Sequence, residues 1–209
     1  MSPGTRARSA LALAAVLTVG ACTGGTDAPA ATATAQAPAE TAHVRSKPVP
    51  TSTPSPTHAG PVDRSDPALG IAFEQIPDVT GPQAEAMNSL MQFQVEFWRS
   101  RTAGKVSPAI KDLATDDALA QVKDVVTTNK KDGWTTGGKV TSTYGKLSGS
   151  QRLVVVDLCS DERQATYTRG GTVTSGADLP TARQKVRAEV AVQPTGAWAV
   201  QTYRPGASC

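Results

Sequence analysis

The residues able to do chemistry in this chain are few and unevenly placed. Both histidines, His43 and His58, precede every aromatic residue: Phe73, Phe93, Phe97, Trp98, Trp134, Tyr144, Tyr167, Trp198 and Tyr203 all lie beyond residue 70. A segment with no aromatics and few large aliphatics cannot build a core, so the part able to fold contains no histidine. That excludes a Ser-His-Asp triad and a His-rich zinc site from it. No Gly-x-x-x-x-Gly-Lys-Ser/Thr, Gly-x-Gly-x-x-Gly or Ser-x-x-Lys motif occurs, so nucleotide hydrolysis and penicillin-type acyl transfer have no seat, and no metal or cofactor is expected. One carboxylate stands out. Asp157 lies in an apolar run and by strand alternation shares a face with Leu153 and Val155. Such a setting raises a carboxyl pKa and suits a general base. The plainer reading pairs Asp157 with an arginine such as Arg187, or has it accept backbone N–H groups at the turn Ser160-Asp161-Glu162. Trp98, Trp134, Tyr144 and Trp198 are the candidates to line a ligand cavity, set against the alternative that they are packing residues of the core.

These residues are delivered to a particular place. Arg6 and Arg8 precede an apolar run from Ala10 to Val19, too short to span a bilayer and of the charge and length of a secretory signal, which sets residues 1–21 as a signal peptide. The run ends in Val19-Gly20-Ala21-Cys22, which resembles the lipobox of bacterial lipoproteins. The resemblance implies that Cys22 becomes the lipidated first residue and holds the protein on the outer face of the cell membrane through its acyl chains. Residues 23–68 carry eight prolines, ten alanines and eight threonines. With Cys22 they form an expected disordered tether, whose reach runs from roughly 40 Å as a flexible coil to roughly 140 Å as extended polyproline II.

With Cys22 lipidated, Cys159 and Cys209 are the remaining thiols, and an oxidising compartment favours their pairing as a disulfide. They lack the Cys-x-x-Cys spacing of a redox pair, which favours a structural bridge. Residues 69–209 hold 16 Lys and Arg against 14 Asp and Glu. So balanced a surface gives no footprint for nucleic acid.

The elements that must position the candidates begin with helices. Thr80 is placed to cap a first helix ended by Gly104, with Met87, Leu90, Met91, Phe97 and Trp98 at helical spacing. Ser107-Pro108 starts a short second helix, and Thr115 caps a third that carries Leu119, Val122 and Val126 and closes at Gly133. The period then changes to two, and five strands are predicted over 134–147, 151–159, 163–169, 183–193 and 197–204. The second of these, with Val154, Val156 and Leu158 on one side and Leu153, Val155 and Cys159 on the other, reads as apolar on both faces and central. The predicted fold class is α+β, with three N-terminal helices packed on a strongly bent antiparallel sheet of about five strands.

This order of elements, with the lipobox, the Pro/Thr-rich tether, the long first helix, the run Val154-Val155-Val156-Asp157-Leu158-Cys159 and the terminal Cys209, resembles the lipoprotein branch of the nuclear transport factor 2-like superfamily over residues 69–209. The resemblance implies a cone fold, in which relatives such as ketosteroid isomerases use a cavity acid opposite a tyrosine donor, here Tyr144, Tyr167 or Tyr203. It also allows a homodimer through the sheet. The function expected is a membrane-anchored, extracytoplasmic, non-enzymatic binding or scaffolding module at the cell envelope, facing an envelope protein. The alternatives are an isomerase- or cyclase-like enzyme using Asp157, and a carrier of a small hydrophobic ligand.

Overall fold

The computed structural model describes residues 59–209 of the chain. The signal peptide, Cys22 and most of the expected tether lie outside the described residues. The last stretch assigned to the tether is held on the domain. Val62 N–H donates to Asn88 Oδ1 at 2.8 Å, Ser65 Oγ accepts from Phe73 N–H, and Asp66 pairs with Ile71 in an isolated bridge.

The elements run β1 (Ile71–Glu74), α1 (Pro82–Ala103), a 3-10 turn (Pro108–Asp112), α2 (Asp116–Lys131), β2 (Trp134–Gly138), β3 (Val140–Gly149), β4 (Leu153–Asp161), β5 (Ala165–Arg169), β6 (Thr172–Ser175), a second 3-10 turn (Gly176–Asp178), β7 (Arg183–Val192) and β8 (Trp198–Pro205). The strands form two sheets. The larger has the order β1-β3-β4-β7-β8 and the smaller β2-β5-β6. All neighbours are antiparallel except β1 and β3, which run parallel with Ile71 opposite Val140.

This corrects the expectation of three helices on one bent antiparallel sheet of about five strands, the nuclear transport factor 2-like cone. Among the described residues there are two α-helices and eight strands in two sheets, and a strand precedes the first of these helices. The expected second helix is one 3-10 turn of five residues, too short to propagate as α-helix. The single strand expected over 134–147 is two strands in different sheets. They part at Gly138, whose φ is 76° and where a β-carbon would come within 2.4 Å of the Gln164 carbonyl oxygen, so only glycine lets the chain turn there. Strand β4 is the middle strand of the larger sheet, but its two faces differ. Val154, Val156 and Leu158 are buried, whereas Leu153 is exposed and Val155 and Asp157 are half-buried.

Helix α1 begins with Pro82 in its first turn and ends at Gly104 in the left-handed conformation, with Gly104 N–H donating to the Ser100 carbonyl. Its 22 residues bury Met87, Leu90, Met91, Phe93, Val95 and Trp98, joined in the core by Val154, Val156, Ala188, Val190 and Val200 from the sheet. Side-chain hydrogen bonds tie it down. Ser89 Oγ donates to the Trp198 carbonyl at 2.7 Å, Trp198 Nε1 donates to Glu85 Oε2, and Trp98 Nε1 donates to the Leu69 carbonyl.

Beyond β8 the chain stays on the sheet. Gly206 N–H donates to the Lys185 carbonyl, Lys185 N–H donates to the Ala207 carbonyl, and Cys209 is disulfide-bonded to Cys159, 50 residues away. A cross-link closing a loop of that length stabilises by about 4 kcal/mol in the chain-entropy model. Replacing both cysteines by serine is therefore expected to lower the urea midpoint by an amount equivalent to about 2–4 kcal/mol, with wild-type protein in reductant showing the same loss.

Candidate functional site

Seven-residue spacing along α1 places Met87, Gln94 and Arg101 on one stripe of the helix, so two polar residues interrupt a face otherwise given to Met87, Leu90, Met91, Phe97 and Trp98. Both point into a cavity of about 330 Å³ bounded by α1, α2, the larger sheet and β5. Its apolar wall includes Phe97, Trp98, Val125, Val140 and Val186, and part of its rim is the segment 176–182, through Leu179 and Thr181.

At one end stands an ionic triad. Arg101 donates bidentately to Glu162, Nη1 to Oε1 at 2.6 Å and Nη2 to Oε2 at 2.9 Å, and its Nη2 also donates to the Tyr167 hydroxyl at 3.3 Å. The Tyr167 hydroxyl in turn donates to Glu162 Oε2. The Arg101 guanidinium lies 5.0 Å from the Trp98 ring centre, which adds a cation–π contact. Both partners are largely shielded from water, with side-chain exposures of 14% and 20%. Burial alone would raise the Glu162 carboxyl, but the hydrogen bonds and charge of Arg101, with the Tyr167 bond, outweigh it and hold its pKa below the ordinary 4.5. Burial would likewise favour loss of the Arg101 proton, and Glu162 reverses that. Tyr167 is pushed up to about 12, first by burial and then by the Glu162 charge.

The other end is a hydrogen-bond hub. Gln94 Nε2 donates to Ser142 Oγ at 3.0 Å and to the Tyr203 hydroxyl at 3.1 Å, and Gln94 Oε1 accepts from the Tyr144 hydroxyl at 2.5 Å. Tyr203 is fixed by packing against Phe93 and Phe97, with ring centres 5.5 and 6.0 Å away. Its hydroxyl is raised to about 12 by burial, so it stays protonated throughout the physiological range.

The residues singled out from the sequence scatter around this cavity. Trp98 lines it. Tyr144 lies behind it, fully buried, and reaches it only through Gln94. Trp198 is packed in the core and bonded to Glu85, away from the lining. Trp134 sits at the start of β2, half-buried, with the Arg169 guanidinium 5.4 Å over its ring. Asp157 is on the opposite face of the sheet, its side chain 47% exposed, paired with Arg187 at 3.3 Å in a separate open groove that also holds Lys185, Arg204 and the Cys159–Cys209 bridge. That is the plainer of its two sequence readings, and it puts the carboxylate outside the cavity.

Gly133-Trp134-Thr135-Thr136-Gly137-Gly138-Lys139 has the glycine and lysine spacing of a phosphate loop, but Val140 stands where that motif closes on Ser or Thr. The structure uses the run as β2 and its turn into β3, with no helix N-terminus to face a phosphate. Among the described residues no group of three or more His, Cys, Asp or Glu is placed to hold a metal.

No family model and no curated protein matches this chain. Among solved structures it is similar to the crystal structure of the intermembrane space region of the chloroplast protein ARC6, at 14% identity and a TM-score of 0.45 over 63% of this chain and 100% of that one.

Removing one partner of a shielded ion pair leaves the other charge uncompensated, so Glu162→Gln is expected to cost about 3 kcal/mol in chemical denaturation. Asp157→Asn, on an exposed pair, should cost under about 0.5 kcal/mol. Because the folded Glu162 pKa is depressed, its contribution is present above about pH 4.5 and is lost as the pH falls through the folded value. Wild-type stability should therefore fall more steeply below pH 4.5 than that of Glu162→Gln, a comparison in which the similarly depressed Asp161 cancels.

Proposed function

We propose that this chain is a lipid-anchored, extracytoplasmic protein that binds a small molecule without transforming it. The observation that carries the reading is the cavity: about 330 Å³, at the low end of ligand pockets, roofed by two helices and lined by aromatic side chains with a few fixed polar groups. Its internal chemistry supports holding over catalysis. The carboxylate within it, Glu162, accepts hydrogen bonds from Arg101 and Tyr167 and is acid-shifted, which makes it a weak proton acceptor. The two tyrosines on its wall are raised to about 12, which keeps them as neutral donors rather than nucleophiles. Between a scaffold facing an envelope protein and a carrier of a small molecule, the cavity favours the carrier. The anchor is argued from Cys22 and the apolar run before it, and the Pro- and Thr-rich segment that follows sets the binding domain away from the bilayer.

Two measurements test this. Mass spectrometry under non-denaturing conditions, on protein released from membranes with mild detergent, is expected to show a bound small molecule. Val125→Trp, which fills the cavity from α2, should remove that added mass while leaving the thermal midpoint within a few degrees. Bare polypeptide in both forms, with nothing recovered by organic extraction, would refute the reading. Separately, Cys22→Ala should shift the protein from the detergent phase to the aqueous phase on partitioning.

A further inference from the structure

The polar groups of the cavity are unequally satisfied, and the imbalance has a sign. Its two formal charges, Arg101 and Glu162, neutralise each other in a bidentate pair, and the Tyr167 hydroxyl both accepts from Arg101 and donates to Glu162. An ion entering would therefore meet no free countercharge, and a charge taken out of water without a partner is strongly disfavoured.

The hub around Gln94 is also committed: the amide oxygen faces Tyr144 and the amide nitrogen faces Ser142 and Tyr203. The 2.5 Å contact to Tyr144 is an O–H···O length, whereas the 3.0 and 3.1 Å contacts to Ser142 and Tyr203 are N–H···O lengths. Gln94 thus donates to Ser142 and Tyr203 and accepts from Tyr144, which uses both amide hydrogens. Ser142 and Tyr203 each keep their own O–H hydrogen, and among the described residues neither donates it to another group. The inner wall therefore holds two O–H hydrogens that have no acceptor among the described residues. Gln121 Nε2 donates to the Tyr203 carbonyl at 2.8 Å, and Ser160, Thr181 and Gln184 carry both donor and acceptor groups and impose no preference.

Resting on the reading of this cavity as a ligand site, we infer that its ligand is a neutral molecule with an apolar or aromatic body that presents an acceptor oxygen, a carbonyl or ether, to the Tyr203 and Ser142 hydroxyls. The body lies against Phe97, Val125 and Val186. Carboxylates and amines are discriminated against: the anion because Glu162 already occupies the Arg101 guanidinium, the cation because Arg101 already occupies the Glu162 carboxylate.

A set of four probes of one shape tests this on the full lipidated chain in detergent micelles, by calorimetry referenced to empty micelles: 2-acetylnaphthalene, 2-naphthoate, 2-(aminomethyl)naphthalene and 2-ethylnaphthalene. The ketone is expected to bind at least tenfold more tightly than the acid or the amine. Tyr203→Phe, which keeps the ring in its packing, should weaken the ketone about tenfold, the effect of one hydrogen bond, and leave 2-ethylnaphthalene within twofold. Ser142→Ala provides a second variant with a smaller change in the same direction. If the acid or amine binds as tightly as the ketone, or if neither variant alters ketone affinity, while 2-ethylnaphthalene still binds wild type and not Val125→Trp, the ligand class is wrong and the site stands. If none of the four binds wild type, the ligand site itself is overturned.

Discussion

A guanidinium cannot be enclosed between a tryptophan and two sheets unless something answers its charge, and in this domain that answer is Glu162. The consequence is architectural. Arg101 belongs to the last turn of α1, Glu162 follows the final residue of β4, and Tyr167 is in β5 of the smaller sheet. One ionic contact therefore ties the long helix to the end of the larger sheet's middle strand and to the second sheet. Glu162 is held from behind as well: its N–H donates to the Ala182 carbonyl at 2.6 Å and its carbonyl accepts from Ala165 N–H. The cavity exists because this corner is fixed by polar bonds rather than filled by side chains.

The two ends of the cavity use polarity differently. At the triad, opposite charges and a phenol satisfy one another, so the region contributes shape and rigidity. At the Gln94 hub a single amide orders three hydroxyls from β3 and β8, and by donating to two of them it leaves each with its own O–H hydrogen to give. A neutral side chain thereby sets a directional preference that no charge in the cavity provides, in surroundings where a misplaced polar group is costly.

How far the amino-acid sequence foretold this depends on the range of each interaction. Helices α1 and α2 are legible because their signals are local: Pro82 and Gly104 bracket the first, Asp116 and Lys131 the second. Strand β1 is not, since its four residues carry only Ile71 and Phe73 as inward positions and its parallel partner β3 lies some 70 residues on. The split at Gly138 was hidden because Trp134 to Leu147 reads as one extended run, and only the approach of the Gln164 carbonyl shows why glycine is required. Strand β4 misled by composition, as Leu153 and Val155 look like core residues but lie on the outward face beside Asp157. The site carried one signal that could have been used: Gln94 and Arg101 fall at seven-residue intervals from Met87 on an apolar stripe, where polar residues have to find partners. Those partners, Ser142, Glu162, Tyr167 and Tyr203, lie 48 to 109 residues further along the chain, in strands or, for Glu162, just past the end of one, and no spacing rule reaches so far.

Gly176 opens the segment that rims the cavity, and there a β-carbon would fall 1.8 Å from the Glu162 carbonyl oxygen. The route of that segment is thereby pinned to the same residue that neutralises Arg101, while Leu179 and Thr181, which it brings to the cavity, are held by no side-chain hydrogen bond among the described residues. Descendants of this sequence can thus swap those two residues and alter the width and wetness of the doorway without disturbing the frame around it. In the small-molecule binder proposed above, preference for one guest over another is free to drift here, on a backbone that is not.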